Sequence, residues 1–223
     1  MAVYTRINQN DLSLIEKNFK IGKIHSFSGI KKGIENTNYL IKTNKKKIIL
    51  TIFEKRVQKR DLPFFMNLMF GLSKHKIKCP EPIKNKKNKY LFKIKNKTAC
   101  LVSFLEGKDK NQLTNKDCFQ VGKNAALLHL AAKKLRLYRK NSLSVNSWGP
   151  LLNRIDKRIN KLSNNLIKTM KTDLIDIKKK WPKNMPNGII HSDLFIDNIF
   201  FYKKKYYGFI DFYFSANDFL AYE

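Results

Sequence analysis

The chain has 223 residues, 43% of them hydrophobic, and carries a formal net charge of +29. This length allows one large domain or two lobes, and the 16 Phe and 9 Tyr argue for a packed core and against disorder. The sequence has no apolar run of the roughly 18 residues that a membrane span needs, and its N-terminus has no signal-peptide apolar segment.

The positive charge comes almost entirely from lysine, which is spread along the chain together with abundant Asn and Ile. Basic surfaces are typical of proteins that bind nucleic acids or anionic membranes, but specific contacts with bases and phosphates favour Arg. We therefore expect a diffuse field that attracts anionic substrates such as nucleotides, and no specific nucleic-acid or membrane partner. Specific nucleic-acid binding is kept as an alternative.

Three cysteines occur in the chain: Cys79, Cys100 and Cys118. Their odd number and wide separation match neither a disulfide framework nor a metal-binding motif. We expect three buried, reduced thiols in a cytoplasmic protein.

The N-terminal region predicts a helix followed by a sheet. Residues 10–19 have the pattern of an amphipathic helix that begins at Asn10 or Asp11 and has an apolar face of Leu12, Ile15 and Phe19. Runs that alternate or stay apolar predict three antiparallel strands joined by tight turns: 23–30, 36–44 and 46–55.

A second helix is predicted at 62–77, with Pro63 in its first turn, and two more strands are predicted within 90–107, which ends at Gly107. The expected result is a five-stranded antiparallel sheet with one helix inserted after the third strand.

Beyond residue 110 the pattern is helical. We predict a helix at 115–135 and either one long or two shorter helices at 148–181; the first has residues at helical spacing, namely Cys118, Val121, Ala125, Leu128 and Ala132. The fold class is therefore α+β and bilobal, with a small sheet lobe at 1–107 and a mainly helical lobe at 108–223. Clefts between lobes are favoured ligand sites.

The stretch "HSDLFIDNIFFYKKKYYGFIDF" (191–212) places acidic and amide groups among apolar residues. "IFFY" and "YYGFI" flank "KKK" and predict a hairpin, which would return Asp211 to Asn198, with Asp193 just ahead. A carboxylate and an amide oxygen suit Mg²⁺, and a further carboxylate can accept a hydroxyl proton. Phosphoryl transfer needs this combination.

The alternative is that Asp197 and Asn198 form a turn and that Asp211 caps a neighbouring element. For any single residue this alternative is the better explanation. For the set it is not, because H-x-D-x-x-x-x-N, a hairpin and then I-D-F match the catalytic and metal-binding loops of the protein-kinase-like fold.

Four stretches carry a more specific resemblance: "FSGIKKGIENTNYLI", "ILTIFEKRVQKRDLPFFMNLM", "HSDLFIDNIFF" and "GFIDFYFSANDFLAYE". In them the chain resembles the aminoglycoside-phosphotransferase superfamily and, within it, the homoserine kinases of the bacterial kinase-like type. The resemblance implies a kinase that uses ATP and Mg²⁺ to phosphorylate the hydroxyl of L-homoserine, in threonine biosynthesis. Another small hydroxyl substrate, such as choline, an aminoglycoside or a sugar, and an inactive pseudokinase are the alternatives.

The resemblance also implies roles for individual residues. Asp193 would be the catalytic base, and Asn198 and Asp211 the Mg²⁺ ligands. His191 would brace the catalytic loop by hydrogen bonding. Asp218 would hold the segment after the metal loop, in preference to meeting the substrate's amino group.

At the nucleotide end, the loop between the first two strands would cover the phosphates, with Gly29 and Gly33 allowing close backbone approach. Asn36 and Asn38 would donate to phosphate or form the turn. Kinases of this fold usually carry Lys or Arg on the third strand. Here Thr51 holds that position.

Lys47 and Lys55 point to the same face as Thr51 but lie one or two turns of the pleat away from it, on either side, so the phosphate contact departs from the usual pattern. "LVSFLEG" (101–107) resembles the hinge strand, whose backbone around Phe104 and Leu105 would meet the adenine. The chain stops at Glu223, where the resembled family begins a helix. We therefore expect a C-terminally truncated form that has its catalytic loop but reduced stability and activity.

Overall fold

The computed structural model describes residues 3–33, 35–159 and 164–223. The chain divides into two compact units. The first contains Met1–Leu137 and Asp193–Phe214, and the second contains Tyr138–Ser192 and Ser215–Glu223. Each unit is described separately, and the predicted lobe boundary at residue 107 stays a prediction.

The first unit opens with helix α1 (Gln9–Asn18). Its N-cap is Asn8, whose side chain accepts a hydrogen bond from Asp11 N at 3.1 Å, while the Asp11 carboxylate accepts one from Asn8 N at 2.9 Å. The predicted start at Asn10 or Asp11 was wrong because the acid of such a capping box is the third helical residue, not the cap. Its predicted apolar face is buried.

The five-stranded antiparallel sheet is confirmed. Its strands are β1 (Ile24–Gly29), β2 (Thr37–Thr43), β3 (Lys47–Ile52), β4 (Leu91–Ile94) and β5 (Lys97–Ser103), in the order β1-β2-β3-β5-β4. Helix α2 (Leu62–Lys74) follows the third strand, as predicted.

One apolar cluster packs α1 against this sheet. Its members include Leu12, Ile15, Phe19, Ile41, Ile48, Leu50, Ile52 and Leu101, each at most 2% exposed. Burying a side chain of this size contributes roughly 1.5–3 kcal/mol. The cluster therefore gives β2, β3 and β5 a rigid base for the polar residues that they carry.

Helix α3 (Asn115–Lys133) confirms the predicted helix, and Leu128 and Ala132 are buried. Cys118 is exposed, so the predicted burial of this thiol was wrong. The neighbouring Asp117 is buried, where it accepts hydrogen bonds from Thr114 and Lys110. Adjacent helical residues point about 100° apart, so Cys118 turns outward. Cys79 and Cys100 are buried, as predicted.

The second unit contains two helices where one or two were predicted, α4 (Val145–Ile159) and α5 (Asn164–Lys180). Strand β6 (Asn187–Ile190) pairs antiparallel with the last strand of the chain, Ala216–Phe219. Across the described residues, no helix combines the length and apolar character needed to cross a membrane.

The predicted hairpin is formed by β7 (Ile199–Tyr202) and β8 (Lys205–Phe209) in the first unit. Its two loop residues, Lys203 and Lys204, have φ of 49° and 65°. Two positive φ angles in a two-residue loop are the geometry that matches the twist of a hairpin. The strands carry the apolar anchors, and the polar residues stand at their open ends.

Backbone hydrogen bonds fix this hairpin to earlier parts of the first unit. Phe201 N donates to Lys108 O at 2.8 Å, and Phe209 N donates to Lys78 O at 3.0 Å. A Cβ at Gly208 would stand 2.4 Å from the Lys78 carbonyl oxygen. Only glycine permits this approach without a shift of backbone.

Candidate active site

The open end of the hairpin carries the polar residues singled out in the sequence. Asn198 closes a short 3₁₀ turn (Ile196–Asn198) just before β7, and Asp211 follows β8. Ile210 N donates to Asn198 O at 3.0 Å, which joins the two ends. Folding of the hairpin thus brings Asp211 back to Asn198, as the spacing predicts.

Asn198 orients Asp193 directly. Its side-chain nitrogen donates to the Asp193 carbonyl at 2.8 Å and to the Asp193 carboxylate at 2.9 Å. Both donors of the amide therefore serve Asp193. The amide oxygen remains as the group that can bind a cation.

Asp193 holds its proton more tightly than an ordinary aspartate. Burial raises its pKa, the hydrogen bond from Asn198 lowers it, the charge of Asp197 raises it, and that of Arg56 lowers it; the net shift is upward. A carboxylate with raised pKa is a better proton acceptor for a hydroxyl at neutral pH. The predicted role of Asp193 as base fits this environment and stays a prediction.

Asp211 is the more strongly perturbed carboxylate. Burial, followed by the negative charges of Asp193, Glu35 and Asp197, raises its pKa to about 6. Its φ of 63° lies in the left-handed region, which aspartate adopts more readily than most residues. Negative charges are concentrated here, and a bound cation would relieve their repulsion.

The donor set fits Mg²⁺ and not a metal held by the protein alone. Among the described residues, no group of three or more His, Cys, Asp or Glu side chains forms a metal site. Mg²⁺ commonly takes one or two carboxylates and completes its sphere with phosphate oxygens and water. The Asp211 carboxylate and the Asn198 amide oxygen could be the few ligands that the protein supplies to such an ion.

At the predicted nucleotide end, the two asparagines are held by neighbouring strands. Asn36 is buried, and its side-chain oxygen accepts from Glu54 N at 3.4 Å. Asn38 accepts from the Thr51 hydroxyl at 2.8 Å. Gly29 ends β1, and Gly33 has φ of 94° with open space around it. Their predicted contacts with phosphate stay predictions.

Thr51, at the position usually occupied by lysine, is only 2% exposed. Burial raises the pKa of the neighbouring Tyr213 phenol well above its usual value, and the Tyr213 hydroxyl lies 3.8 Å from the Cys100 sulfur. The Tyr213 ring meets Phe53 edge-on at 5.1 Å. Tyr213 thus joins the segment just after Asp211 to β5 and to Phe53, which follows β3. Sequence analysis missed Tyr213.

The predicted hinge residues follow β5 directly. Phe104 N donates to Lys47 O at 3.4 Å, and the Lys47 ammonium lies 5.1 Å from the centre of the Phe104 ring. Lys47 also pairs with Glu106 at 3.2 Å. The predicted adenine contact of the Phe104 and Leu105 backbone stays a prediction.

Sequence analysis also missed a pair of charged residues near these carboxylates. Arg56 donates to the Glu35 carboxylate, and its guanidinium carbon lies 4.7 Å from the centre of the Phe214 ring. Burial raises the pKa of Glu35, the Arg56 charge lowers it, and the Asp193 charge raises it, with a net upward shift. The only local signal was a run of mixed charges around Arg56.

His191 is completely buried in the second unit. Its backbone N donates to the Glu223 carboxylate at 2.9 Å, and Ser192 N donates to the same oxygen at 3.2 Å. Asp218 accepts from the Asn141 side chain at 2.7 Å. These bonds hold the backbone just before Asp193, and the bracing role of the His191 ring stays a prediction.

Comparisons with known proteins show the family to which the chain belongs. The profile of the phosphotransferase enzyme family matches residues 26–223. The homoserine kinase of Agrobacterium fabrum is 40% identical over all 223 residues, which span 69% of that protein. The homoserine kinase of Allorhizobium ampelinum is 42% identical over the same residues, which span 70% of it.

Solved structures share the fold at low sequence identity. Spectinomycin phosphotransferase, in complex with ADP and spectinomycin, has a TM-score of 0.69 at 16% identity, over 98% of this chain and 73% of that one. Amicoumacin kinase, in complex with AMP-PNP, Ca²⁺ and its antibiotic, has a TM-score of 0.61 at 15% identity, over 96% of this chain and 66% of that one. The predicted α+β, protein-kinase-like fold class is confirmed.

Proposed function

Because the chain belongs to the phosphotransferase enzyme family, we propose that it transfers a phosphoryl group from ATP to the hydroxyl of L-homoserine. The product would be O-phospho-L-homoserine, which serves threonine biosynthesis. The observation that carries the proposal is the Asn198 amide, which donates both hydrogen bonds to Asp193 at the end of the hairpin that also bears Asp211.

Asp193 would act as the base. As the hydroxyl oxygen bonds to the γ-phosphorus and the bond to the ADP oxygen breaks, the hydroxyl proton passes to the Asp193 carboxylate. The raised pKa of Asp193 favours that transfer, and the amide of Asn198 fixes the carboxylate for it. Positioning of this kind supplies much of the catalysis in phosphoryl transfer.

The Asn198 amide oxygen and the Asp211 carboxylate would hold Mg²⁺. When bound, this ion neutralises charge on the phosphates. Gly29, Gly33, Asn36 and Asn38 would border the nucleotide phosphates. Thr51 would secure Asn38 in place of making the usual lysine contact.

A panel of acceptors tests the proposal. ADP release with Mg-ATP is measured with L-homoserine, choline, kanamycin and a sugar such as methylthioribose. L-Homoserine should give the highest kcat/KM by at least an order of magnitude. A higher value with one of the other acceptors would replace the proposed substrate while keeping the reaction. No acceptor-dependent ADP release at all would reject the proposed function.

A further inference from the structure

The ion pair of Glu35 and Arg56 is placed beside the proposed reacting groups but has no part in the chemistry described above. Glu35 stands two residues before β2, and Arg56 follows β3. Arg56 lies over Phe214, three residues beyond Asp211. The Glu35 charge acts on Asp211, and the Arg56 charge acts on Asp193.

The two side chains of the pair differ in their exposure to solvent. The Arg56 side chain is 55% exposed and that of Glu35 is 19% exposed. The Arg56 end of the pair is therefore open to solvent, whereas Glu35 is mostly covered and needs a cationic partner in place of Arg56 if the pair separates. The guanidinium carbon lies 4.7 Å from the centre of the Phe214 ring, and one of the five guanidinium N–H donors is used by Glu35.

The charges of the pair match those of an α-amino acid. A guanidinium binds a carboxylate through two parallel hydrogen bonds, and a carboxylate accepts hydrogen bonds from an ammonium. Choline and aminoglycosides have no carboxylate, so they could satisfy only one half of such a site. A substrate with both groups would engage Arg56 and Glu35 together.

We propose that Arg56 binds the α-carboxylate of the acceptor and Glu35 binds its α-ammonium group, so that the pair selects α-amino acids with a side-chain hydroxyl. This inference rests on the proposed function and assigns its substrate class to two residues. The same guanidinium chemistry would also suit the terminal phosphate of ATP. Glu35 favours the amino acid, because a carboxylate bonded to that guanidinium would repel a phosphate.

Two analogues of homoserine separate the halves of the site. 4-Hydroxybutyrate keeps the hydroxyl and the carboxylate, and 3-aminopropan-1-ol keeps the hydroxyl and the ammonium. Arg56→Gln should lower kcat/KM about 10- to 100-fold for homoserine and 4-hydroxybutyrate, the loss expected for a hydrogen bond between charged groups, and leave 3-aminopropan-1-ol within about threefold. Glu35→Gln should show the opposite pattern.

Arg60→Gln is the matched control, because Arg60 lies in the same segment and its side chain is 82% exposed. It should leave all three acceptors unchanged, and all variants should melt within a few degrees of the wild type. A rise in KM for ATP with Arg56→Gln, equal for every acceptor, would assign Arg56 to phosphate and overturn the inference. An equal loss for all three acceptors without that rise would also overturn it.

Calorimetric titration with L-homoserine, in the presence of ADP and Mg²⁺, keeps the inference separate from the proposed function. If the wild type binds homoserine and Arg56→Gln does not, the site stands even where turnover fails. If the wild type does not bind homoserine, the site assignment is wrong whatever the enzyme phosphorylates.

Discussion

Residues 193–211 and residues 36–56 both hold polar groups at the candidate site, but they secure them in opposite ways. In the first stretch the partners are near in sequence: Asn198 bonds Asp193, and Ile210 bonds Asn198. In the second the partners are distant, as for Glu54 and Lys97. Substitutions in a loop whose hydrogen bonds are local should alter activity with little loss of stability. Substitutions in a strand whose polar groups bond to distant segments should reduce the stability of the fold.

Glu54 is the clearest case in the second stretch. Its carboxylate accepts hydrogen bonds from the hydroxyls of Thr5 at 2.6 Å and Thr37 at 2.7 Å, and from the Lys97 ammonium. Burial alone would raise the pKa of Glu54, but these hydrogen bonds and the Lys97 charge outweigh it and lower the pKa below its usual value. One carboxylate thus joins the N-terminal segment, β2 and β5.

The largest effect is expected from Asp193→Asn. Loss of the base should reduce kcat by about 10²- to 10⁴-fold while ADP binding and the melting temperature remain close to wild type. Steady-state kinetics, ADP titration and thermal melting measure the three quantities. Asp197→Asn, at an exposed position in the same loop, is the control and should retain most activity. Unchanged turnover in Asp193→Asn would rule out this residue as the base.

Asp211→Asn should stabilise the protein when Mg²⁺ is removed. Because the folded-state pKa of Asp211 is raised from 3.8 to about 6, its ionised form opposes folding at pH 7, although solvent screening at this exposed side chain reduces the effect. The wild type regains this stability as pH falls through 6 toward 4, so the advantage of the variant should drop to about half at pH 5.

Urea unfolding in EDTA at pH 7 and pH 5 measures this difference. The same variant should also need at least about tenfold more Mg²⁺ for half-maximal turnover, since even partners outside a metal's ligand sphere contribute that much. If Asp211→Asn were less stable than the wild type at pH 7, Asp211 would be a residue that stabilises the fold. Residues 193–211 would then not differ from residues 36–56 in this respect.

A smaller change, confined to stability, is expected from Glu54→Gln. The free energy of unfolding should fall by about 2 kcal/mol, the range for hydrogen bonds to a charged group. Since the folded-state pKa of Glu54 is lowered, its contribution is present above the unfolded-state pKa of 4.5 and is lost as pH falls through the folded-state value. The gap between variant and wild type should therefore close in acid.

Glu81→Gln serves as the reference for this measurement, because the Glu81 carboxylate forms an exposed pair with Lys74 at 3.4 Å. Its unfolding free energy should change by less than about 0.5 kcal/mol. Equal losses in the two variants would mean that the Glu54 network adds nothing beyond an ordinary surface pair.

The same contrast explains what could be predicted from the sequence. The hairpin and the approach of Asp211 to Asn198 follow from alternation and spacing within some twenty residues, as do the five strands. The Glu54 network, the contacts of Tyr213 with Cys100 and Phe53, and the pair of Glu35 and Arg56 were not predicted. They join residues that are distant in sequence or lie in irregular segments, where no periodicity records which side chains will meet.

Smaller errors have local causes. The start of α1 was misplaced because its cap, Asn8, lies outside the apolar pattern. Cys118 was expected to be buried because the helical face was drawn through apolar residues alone. The buried residue there is Asp117, which is charged and paired with Lys110. Patterns of hydrophobicity cannot register a buried carboxylate that is held by hydrogen bonds.

The backbone bonds that tie the hairpin to Lys78 and Lys108 restrict how this polypeptide can be rearranged. A fragment that ended at Gly107 would leave the Lys78 carbonyl without the Phe209 amide. Two fragments divided there should regain activity only when mixed, through docking of the hairpin. A circular permutant opened at that junction keeps both segments in one chain, so it should form these bonds without mixing of fragments.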